Sequence, residues 1–443
     1  MTRTDFDSWI ARQAQRSADA MEKAISATHL TRRRETFGQV VVPARGSVLA
    51  SPAIADWNPE PDYFFHWLRD SAIVMRSVAE QMEDAASEDE RARWRRHFED
   101  FIGFSLRLCD PDGMAVSDYR PPTRSGFRKF LRPRSEIVGL ANDKLLSEPR
   151  FNPDGTIDIF RWSRPQYDGP ALRALACLRY LAAGGAQTHD LARLLRTDLS
   201  FTVRHAGKRC IGPWEEPRQN AHHYYVALVQ LGAITHGRAW AGDAVGKWEA
   251  AIERLRAGLE RHWSDKHRVF MARRPTVSAE DMLDAAYLLA VWDADLPEGP
   301  HSIEDARVPE TQAALEEYFA RELPINRERP TECGVLLGRY PGDRYFGGGA
   351  WYPTTLAAAG LYYRRAQRAG KDRDALMRRG DAIMRAVWRV TPEHGALSEQ
   401  IDRATGRQTS ARDLTWSYAA FVATARARAQ AITPISQADT KVD

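Results

Sequence analysis

Residues 224–234, YYVALVQLGAI, and residues 247–263, KWEAAIERLRAGLERHW, decide the fold. The first segment carries mostly apolar or small side chains around the whole circumference of a helix, which is typical of a buried helix. The second repeats apolar residues at helical spacing beside a charged face, which is typical of a helix that meets solvent on one side. The two segments therefore predict an inner helix followed by an outer helix.

The same alternation runs along the whole chain. The even-numbered segments are mostly apolar, as in DAAYLLAVW from residue 284, whereas the odd-numbered ones carry a charged face. Helices joined by hairpin-like connections run antiparallel, so the even-numbered helices should all begin at one end of the domain. The sequence predicts an all-α (α/α)6 barrel, with VVVP at 40–43 as the only strand candidate. The twelve predicted helices span 5–27, 66–85, 88–109, 169–184, 188–205, 220–240, 242–263, 280–293, 308–322, 351–369, 372–390 and 413–431.

Composition supports a single large domain. The chain has 443 residues, of which 43% are hydrophobic and 28% charged, so it can bury an extensive core. Because no low-complexity linker divides it, we expect one (α/α)6 domain over 1–432 and a loose tail over 433–443. The four cysteines are far apart and form no CxxC pair, so neither a zinc site nor a disulfide framework is indicated. A monomer is the default expectation.

Charge and hydropathy exclude several classes of partner. The net charge is +4, and Arg is scattered among Glu and Asp instead of forming a block, so we expect no nucleic-acid partner. No apolar run reaches the roughly 18 residues that a membrane span needs, so we expect no membrane partner. No secretory leader is visible, which predicts a cytoplasmic location, although an exported protein whose leader had been removed would look the same.

The loops that enter the even-numbered helices are rich in Pro, Gly and aromatic residues. If those helices share an end, the loops converge there and form a pocket. Planar Trp and Tyr rings stack on sugar rings, while Arg and Asp bind hydroxyl groups through charge-assisted hydrogen bonds. The composition of the loops therefore predicts a sugar site that includes Trp67, Trp162, Trp214 and Trp351. The loops are PEPDYFFHWLRDS before the second helix, RWSRPQYDGP before the fourth, GPWEEPRQN before the sixth, GRYPGDRYFGGGAW before the tenth and GALSEQIDRATGRQTSARD before the twelfth.

Two adjacent glutamates in the third of these loops are candidates for acid–base chemistry. Hydrolysis of a glycosidic bond uses two carboxyl groups that flank the bond. Pro217 biases Glu216 toward an extended conformation, and neighbouring side chains of an extended segment point to opposite sides. Only one of Glu215 and Glu216 is therefore expected to address the bond.

The second carboxylate must come from another loop. Glu399, in LSEQ before the last helix, is the best candidate. Asp70 is a weaker one, because Arg69 beside it should favour the charged form, which suits hydroxyl binding better than acid chemistry.

In these loops the sequence resembles the glucoamylase family of inverting, exo-acting α-glucosidases, glycoside hydrolase family fifteen. The resemblance implies the (α/α)6 barrel that the helix pattern also predicts. The matching segments follow the order of the family and cover almost the whole chain. They are DSWI (7–10), ASP (50–52), PDYFFHWLRDSAIV (61–74), WSRPQYDGPALRA (162–174), PWEE (213–216), GRYPGDRYFGGGAWYPTTLAAAGLYY (338–363) and SEQIDRATGRQTSARDLTWSYAA (398–420).

The resemblance implies a role for each matching residue. Glu215 corresponds to the general acid of the family and Glu399 to its general base. The substrate-binding residues that it implies are Tyr63, which helps to hold the nucleophilic water; Trp67, Arg69, Asp70 and Arg339, around the terminal glucosyl unit; Trp162 and Trp351, beside the leaving-group sugar, with Arg164 and Asp343 nearby; and Glu216.

An inverting mechanism follows from the same resemblance. It places the two carboxyl groups roughly 6.5–9.5 Å apart, with water between the base and the anomeric carbon. Glu215 would have to keep its proton near neutrality, helped by burial, Trp214 and the charge of Glu216. No metal or organic cofactor is expected.

The expected reaction is release of β-D-glucose from the non-reducing ends of maltooligosaccharides or related α-glucans. Two alternatives keep the scaffold and change the linkage: an α-1,6-glucosidase acting on isomaltose or dextran, and an α,α-trehalase. A non-catalytic carbohydrate-binding barrel is a third. The linkage stays open because residues 211–213, 217–225 and 347–350 depart from the family pattern on the leaving-group side.

Overall fold

The computed structural model describes residues 3–57, 59–110, 123–216, 220–276 and 282–433. Within these ranges every predicted helix is present, with ends that differ from the prediction by a few residues. The helices are α1 (Arg3–Lys23), α2 (Leu68–Asp84), α3 (Glu88–Cys109), α4 (Gly169–Ala182), α5 (His189–His205), α6 (Tyr224–His236), α7 (Val245–Glu260), α8 (Ala286–Ala294), α9 (Arg307–Glu322), α10 (Tyr352–Arg368), α11 (Arg373–Val390) and α12 (Thr415–Ile432). Single helical turns form at Arg134–Ile137, Asp143–Leu146 and Pro324–Arg327.

The six even-numbered helices form a closed inner ring. Each packs against the next, from α2 through α4, α6, α8 and α10 to α12, and α12 packs against α2. The apolar composition of these helices explains their place, since every residue of α8 is buried. The (α/α)6 barrel predicted from the alternation is confirmed.

The odd-numbered helices cover the ring. α3 packs on α2, α5 on α4, α7 on α6, α11 on α10 and α1 on α12. Hydrogen bonds join α9 to α10, from Gln312 Nε2 to Ala358 O at 3.1 Å and from the Tyr362 hydroxyl to Glu316 at 2.7 Å. Side-chain caps fix the start of two outer helices, because Ser87 accepts from Glu90 N and Thr188 accepts from Leu191 N.

Short antiparallel strands precede three of the inner helices, and they explain why α2, α6 and α10 begin later than predicted. A strand residue has extended backbone, so the helix can start only after it. The prediction of a single strand segment is wrong, although Gln39–Val41 at that segment does form a strand. The pairs are Arg32–Arg34 with Gln39–Val41, His66–Trp67 with Arg150–Phe151, His222–His223 with Arg273–Arg274, Trp263–Ser264 with Val269–Phe270, and Gln400–Ile401 with both Ala350–Trp351 and Gln408–Thr409.

One continuous core extends from Phe6 to Ala431. The beginning and the end of the ring are also joined by backbone contacts, since Thr415 N donates to Ala50 O at 2.8 Å. Of the helices in the described ranges, none combines the length and the apolar character needed to cross a membrane. Pro217 and the tail from residue 434 lie outside the described residues.

Candidate active site

A pocket of about 990 Å³ opens at the end of the barrel where the inner helices begin. Its walls come from the loops that enter α2, α4, α6, α10 and α12, as predicted. Trp214, expected in the sugar site from the composition of the loops, lines the pocket, and of the twelve residues to which the family resemblance gives a role, only Asp343 is outside the lining. The others are Tyr63, Trp67, Arg69, Asp70, Trp162, Arg164, Glu215, Glu216, Arg339, Trp351 and Glu399.

Three donors surround the carboxyl group of Glu215. The indole N–H of Trp67 lies 2.9 and 3.1 Å from its two oxygens, and Arg69 Nη2 lies 2.8 Å from Oε1. The indole N–H of Trp162 donates to Oε2. The Glu215 side chain is 8% exposed, and its backbone has a φ of +60°, a conformation uncommon for a residue other than glycine. Strained backbone of this kind is concentrated at functional sites.

The two adjacent glutamates share the pocket but have different partners. Because φ at Glu215 is +60°, the segment is not extended at that residue, and the extended backbone expected to separate the two side chains is absent there. Glu216 instead approaches Arg339, with Oε1 3.9 Å from Nη2. The Trp214 indole, expected to assist Glu215, donates to Asp284 at 2.8 and 2.9 Å.

Glu399 is 4% exposed and lies among hydroxyl groups. The Ser410 hydroxyl donates to Oε2 of Glu399, and the hydroxyl of Tyr63 lies 2.6 Å from that of Tyr345. Burial raises the pKa of Glu399 to about 7, against the opposing effects of the Ser410 hydrogen bond and the positive charge of Arg339. A carboxyl group that ionises near neutrality is well matched to general-base catalysis at that pH.

Asp70 is also less readily ionised than an ordinary aspartate. Burial raises the pKa of Asp70 to about 6, and this effect exceeds the opposing charge of Arg69. The guanidinium of Arg69 is shared, because it lies 3.5 Å from Asp70, 3.1 Å from Asp168 and 2.8 Å from Glu215. At Asp70 the effect of burial on the pKa therefore exceeds that of Arg69, whereas the sequence led us to expect that Arg69 would favour the charged form.

Asp343 acts on the pocket through Arg339. Its two oxygens accept from Arg339 Nε at 2.7 Å and Nη2 at 2.6 Å. This bidentate pair fixes the guanidinium 5.0 Å from the ring centre of Trp351 and 5.5 Å from that of Trp214, within cation–π range. Asp343 therefore orients a pocket residue and does not itself line the pocket.

Sequence reasoning missed several residues that support the site. Arg150 is fully buried, and its guanidinium lies 3.7 Å from the ring centre of Trp162 and 4.7 Å from that of Trp67. Asp284, in the loop entering α8, accepts from Trp214, and burial raises the pKa of Asp284 to about 7. Ser410 lies in a segment quoted for the resemblance, whereas neither Arg150 nor Asp284 has a local sequence signal.

The fold and the site together define a class of protein. An (α/α)6 barrel whose pocket combines glutamates from separate loops with tryptophans and arginines is equipped for hydrolysis of a glycosidic bond. A sequence profile of the glycosyl hydrolases family 15 matches residues 34–108 and 131–426. The chain belongs to this family and is a glycoside hydrolase.

Similar proteins agree with this assignment. A probable glucoamylase of Schizosaccharomyces pombe is 26% identical over 421 residues, which cover 85% of this chain and 83% of that protein. Glucoamylase 1 of Rhizopus oryzae is 24% identical, with 88% of this chain and 67% of that protein covered. Among solved structures, the glucoamylase of Saccharomycopsis fibuligera has the same fold, with a TM-score of 0.76, 22% identity, and coverage of 98% of this chain and 97% of that one.

Proposed function

We propose that this protein is an exo-acting α-glucosidase of the glucan 1,4-α-glucosidase type, which releases β-D-glucose from the non-reducing ends of maltooligosaccharides by inversion. One observation carries the proposal: Glu215 and Glu399 come from separate loops, line one pocket and have contrasting surroundings. Membership of the family and the similarity to glucoamylases support an α-glucan as the substrate.

In this proposal the terminal glucosyl unit binds at the base of the pocket, beside Trp67, Arg69 and Asp70. Glu215 donates its proton to the glycosidic oxygen as the bond from that oxygen to the anomeric carbon breaks. A water molecule attacks the anomeric carbon from the opposite face and gives a proton to Glu399. The product is β-D-glucose, and the shortened oligosaccharide leaves with the transferred proton.

The donors around Glu215 have a specific part in this reaction. As Glu215 loses its proton, its carboxylate charge grows, and the N–H groups of Trp67, Trp162 and Arg69 are already directed at it. Donors that are in place before the charge develops stabilise the transition state more than the ground state.

Proton NMR of the first product tests the mechanism. β-Glucose should appear before mutarotation, and initial α-glucose would overturn inversion. Initial rates on maltose, isomaltose, panose and trehalose test the linkage, with maltose expected to be preferred over isomaltose and trehalose. Preference for isomaltose or trehalose would reassign the substrate, and no turnover of any α-glucoside would refute the proposal.

A further inference from the structure

Three tryptophan rings form a series that leads from the base of the pocket to the protein surface. The ring centres of Trp67 and Trp162 are 6.1 Å apart, and those of Trp162 and Trp57 are 5.8 Å apart. Trp67 is 3% exposed, Trp162 is half-buried and Trp57 is 44% exposed. We call these residues the tryptophan series.

Trp57 lies outside the sequence segments that carry the family resemblance, between those at 50–52 and 61–74. The pocket lining includes Trp162, whereas Trp57 continues the aromatic surface beyond it. An indole ring that is almost half exposed leaves a large apolar face in water, and covering that face is favourable.

The segment that carries Trp57 is fastened at both ends. The buried Arg32 donates from Nη2 to Ala55 O and to Asp56 Oδ1, both at 2.6 Å, and it also bonds to Asp62. Beyond Trp57, Arg412 Nε donates to Glu60 at 2.6 Å. Trp57 itself has a φ of +67°. A bulky residue keeps this unfavourable conformation only where its surroundings fix it, so the ring is presented in a defined position.

We propose that Trp57 forms an outer sugar-binding subsite, which stacks on a glucosyl unit beyond the leaving-group sugar and makes the enzyme prefer longer oligosaccharides. The inference rests on the proposed function, in which the terminal unit lies at Trp67 and the leaving-group sugar at Trp162. A disaccharide ends at Trp162, whereas a tetrasaccharide continues past it toward Trp57. The Trp57 ring then stabilises binding of the longer substrate and not of the disaccharide.

The test compares maltose with maltotetraose in Trp57→Gly. Glycine removes the ring and adopts a φ of +67° without strain, so the loop is preserved. The ratio of kcat/KM for maltotetraose to that for maltose should fall about three- to tenfold, mainly through KM, as expected for loss of one aromatic stacking contact. Trp57→Phe, which keeps a flat ring, should restore most of the ratio. Ile54→Ala, 52% exposed in the same loop, is the matched control and should leave the ratio unchanged.

Calorimetric titration of maltose and maltotetraose into the Glu399→Gln protein, with and without Trp57→Gly, measures the subsite independently of turnover. Loss of affinity for maltotetraose beyond that for maltose supports the inference. An equal loss for both sugars would mean that Trp57 only supports Trp162, and no loss for either would mean that it binds no sugar; both results overturn the inference. Failure of the proposed function is separate, since it appears as absence of hydrolysis by the unaltered enzyme.

Discussion

The hydroxyl of Ser410 donates a hydrogen bond to Oε2 of Glu399, and the two residues are 2% and 4% exposed. This bond lowers the pKa of Glu399 against the larger effect of burial. In Ser410→Gly the bond is lost, while glycine tolerates the φ of +64° at this position. The pKa of Glu399 should then rise, and the acidic limb of the kcat/KM profile should move to higher pH by about one unit.

Ser417→Ala is the control for Ser410→Gly, because it also removes a buried hydroxyl, one that donates to Ser398 O at 2.8 Å. Its profile should keep the acidic limb of the unaltered enzyme. An acidic limb that stays in place in Ser410→Gly, or moves to lower pH, would show that Glu399 does not govern it.

The two glutamates of the proposed mechanism should differ in their dependence on the leaving group. Glu215→Gln should lower kcat on maltose by about 10²- to 10⁴-fold, because the glycosidic oxygen then leaves without a proton. Fluoride leaves without protonation, so α-glucosyl fluoride should be hydrolysed by Glu215→Gln much faster than maltose. Glu399→Gln should lose activity on both substrates, since activation of water is needed for each. Equal losses of Glu215→Gln on the two substrates would contradict its role as the acid.

Stability should depend on pH through Glu399. Its pKa in the folded protein is about 7, above the ordinary value of 4.5, so the folded state retains a proton that the unfolded chain has released. Stability from this source is therefore present below pH 4.5 and is lost as pH rises through 7. Glu399→Gln removes the titration, and its free energy of unfolding relative to that of the unaltered protein should increase by about 3 kcal/mol between pH 4.5 and 8.

Chemical denaturation across this pH range measures the difference. The exposed Glu393→Gln serves as the control and should run parallel to the unaltered protein. A constant difference between Glu399→Gln and the unaltered protein would show that Glu399 ionises normally in the folded state.

Asp343→Asn should raise KM more than it lowers kcat. It removes the charge that orients Arg339 between Trp214 and Trp351, and the family resemblance implies a substrate-binding role for Arg339. Because both partners are 5% exposed, the change should also destabilise the protein by about 3 kcal/mol. Glu317→Gln breaks an exposed pair with Arg321, at 71% and 69% exposure, and should cost under about 1 kcal/mol. A similar small cost for Asp343→Asn, with KM unchanged, would contradict this role.

The helices could be predicted from the sequence, because the apolar or charged composition of each segment indicates whether the helix is buried or meets solvent. α6 and α8 are apolar on all sides and lie in the inner ring, while α3 and α11 carry charged faces and lie outside. The sequence was insufficient for two-residue strands whose partners are distant in the chain, such as His66–Trp67 and His222–His223. His66–Trp67 pairs with Arg150–Phe151, and no local pattern indicates which segment will be adjacent.

Some features of the candidate site could also be predicted from the sequence, and others could not. Glu215, Glu399 and the loop tryptophans could be predicted, because their residue types and the quoted segments point to sugar chemistry. The positive φ of Glu215 and the raised pKa of Asp70 could not be predicted, since each depends on tertiary contacts. The position of Arg150 could not be predicted either. Its contact with Trp67 and Trp162 depends on tertiary packing, and a buried arginine has no distinctive neighbours in the sequence.

Closure of the inner ring has a consequence for synthesis of the protein on the ribosome. A nascent chain that ends before residue 399 already contains Trp67, Trp162 and Glu215, but it lacks Glu399 and the helix α12 that joins α10 to α2. The segment from residue 399 to the end of α12, which is translated after the other inner helices, therefore supplies both Glu399 and the contact between Thr415 and Ala50. In the proposed mechanism hydrolysis needs Glu399, so the appearance of activity during translation would report completion of the barrel and not merely formation of its helices.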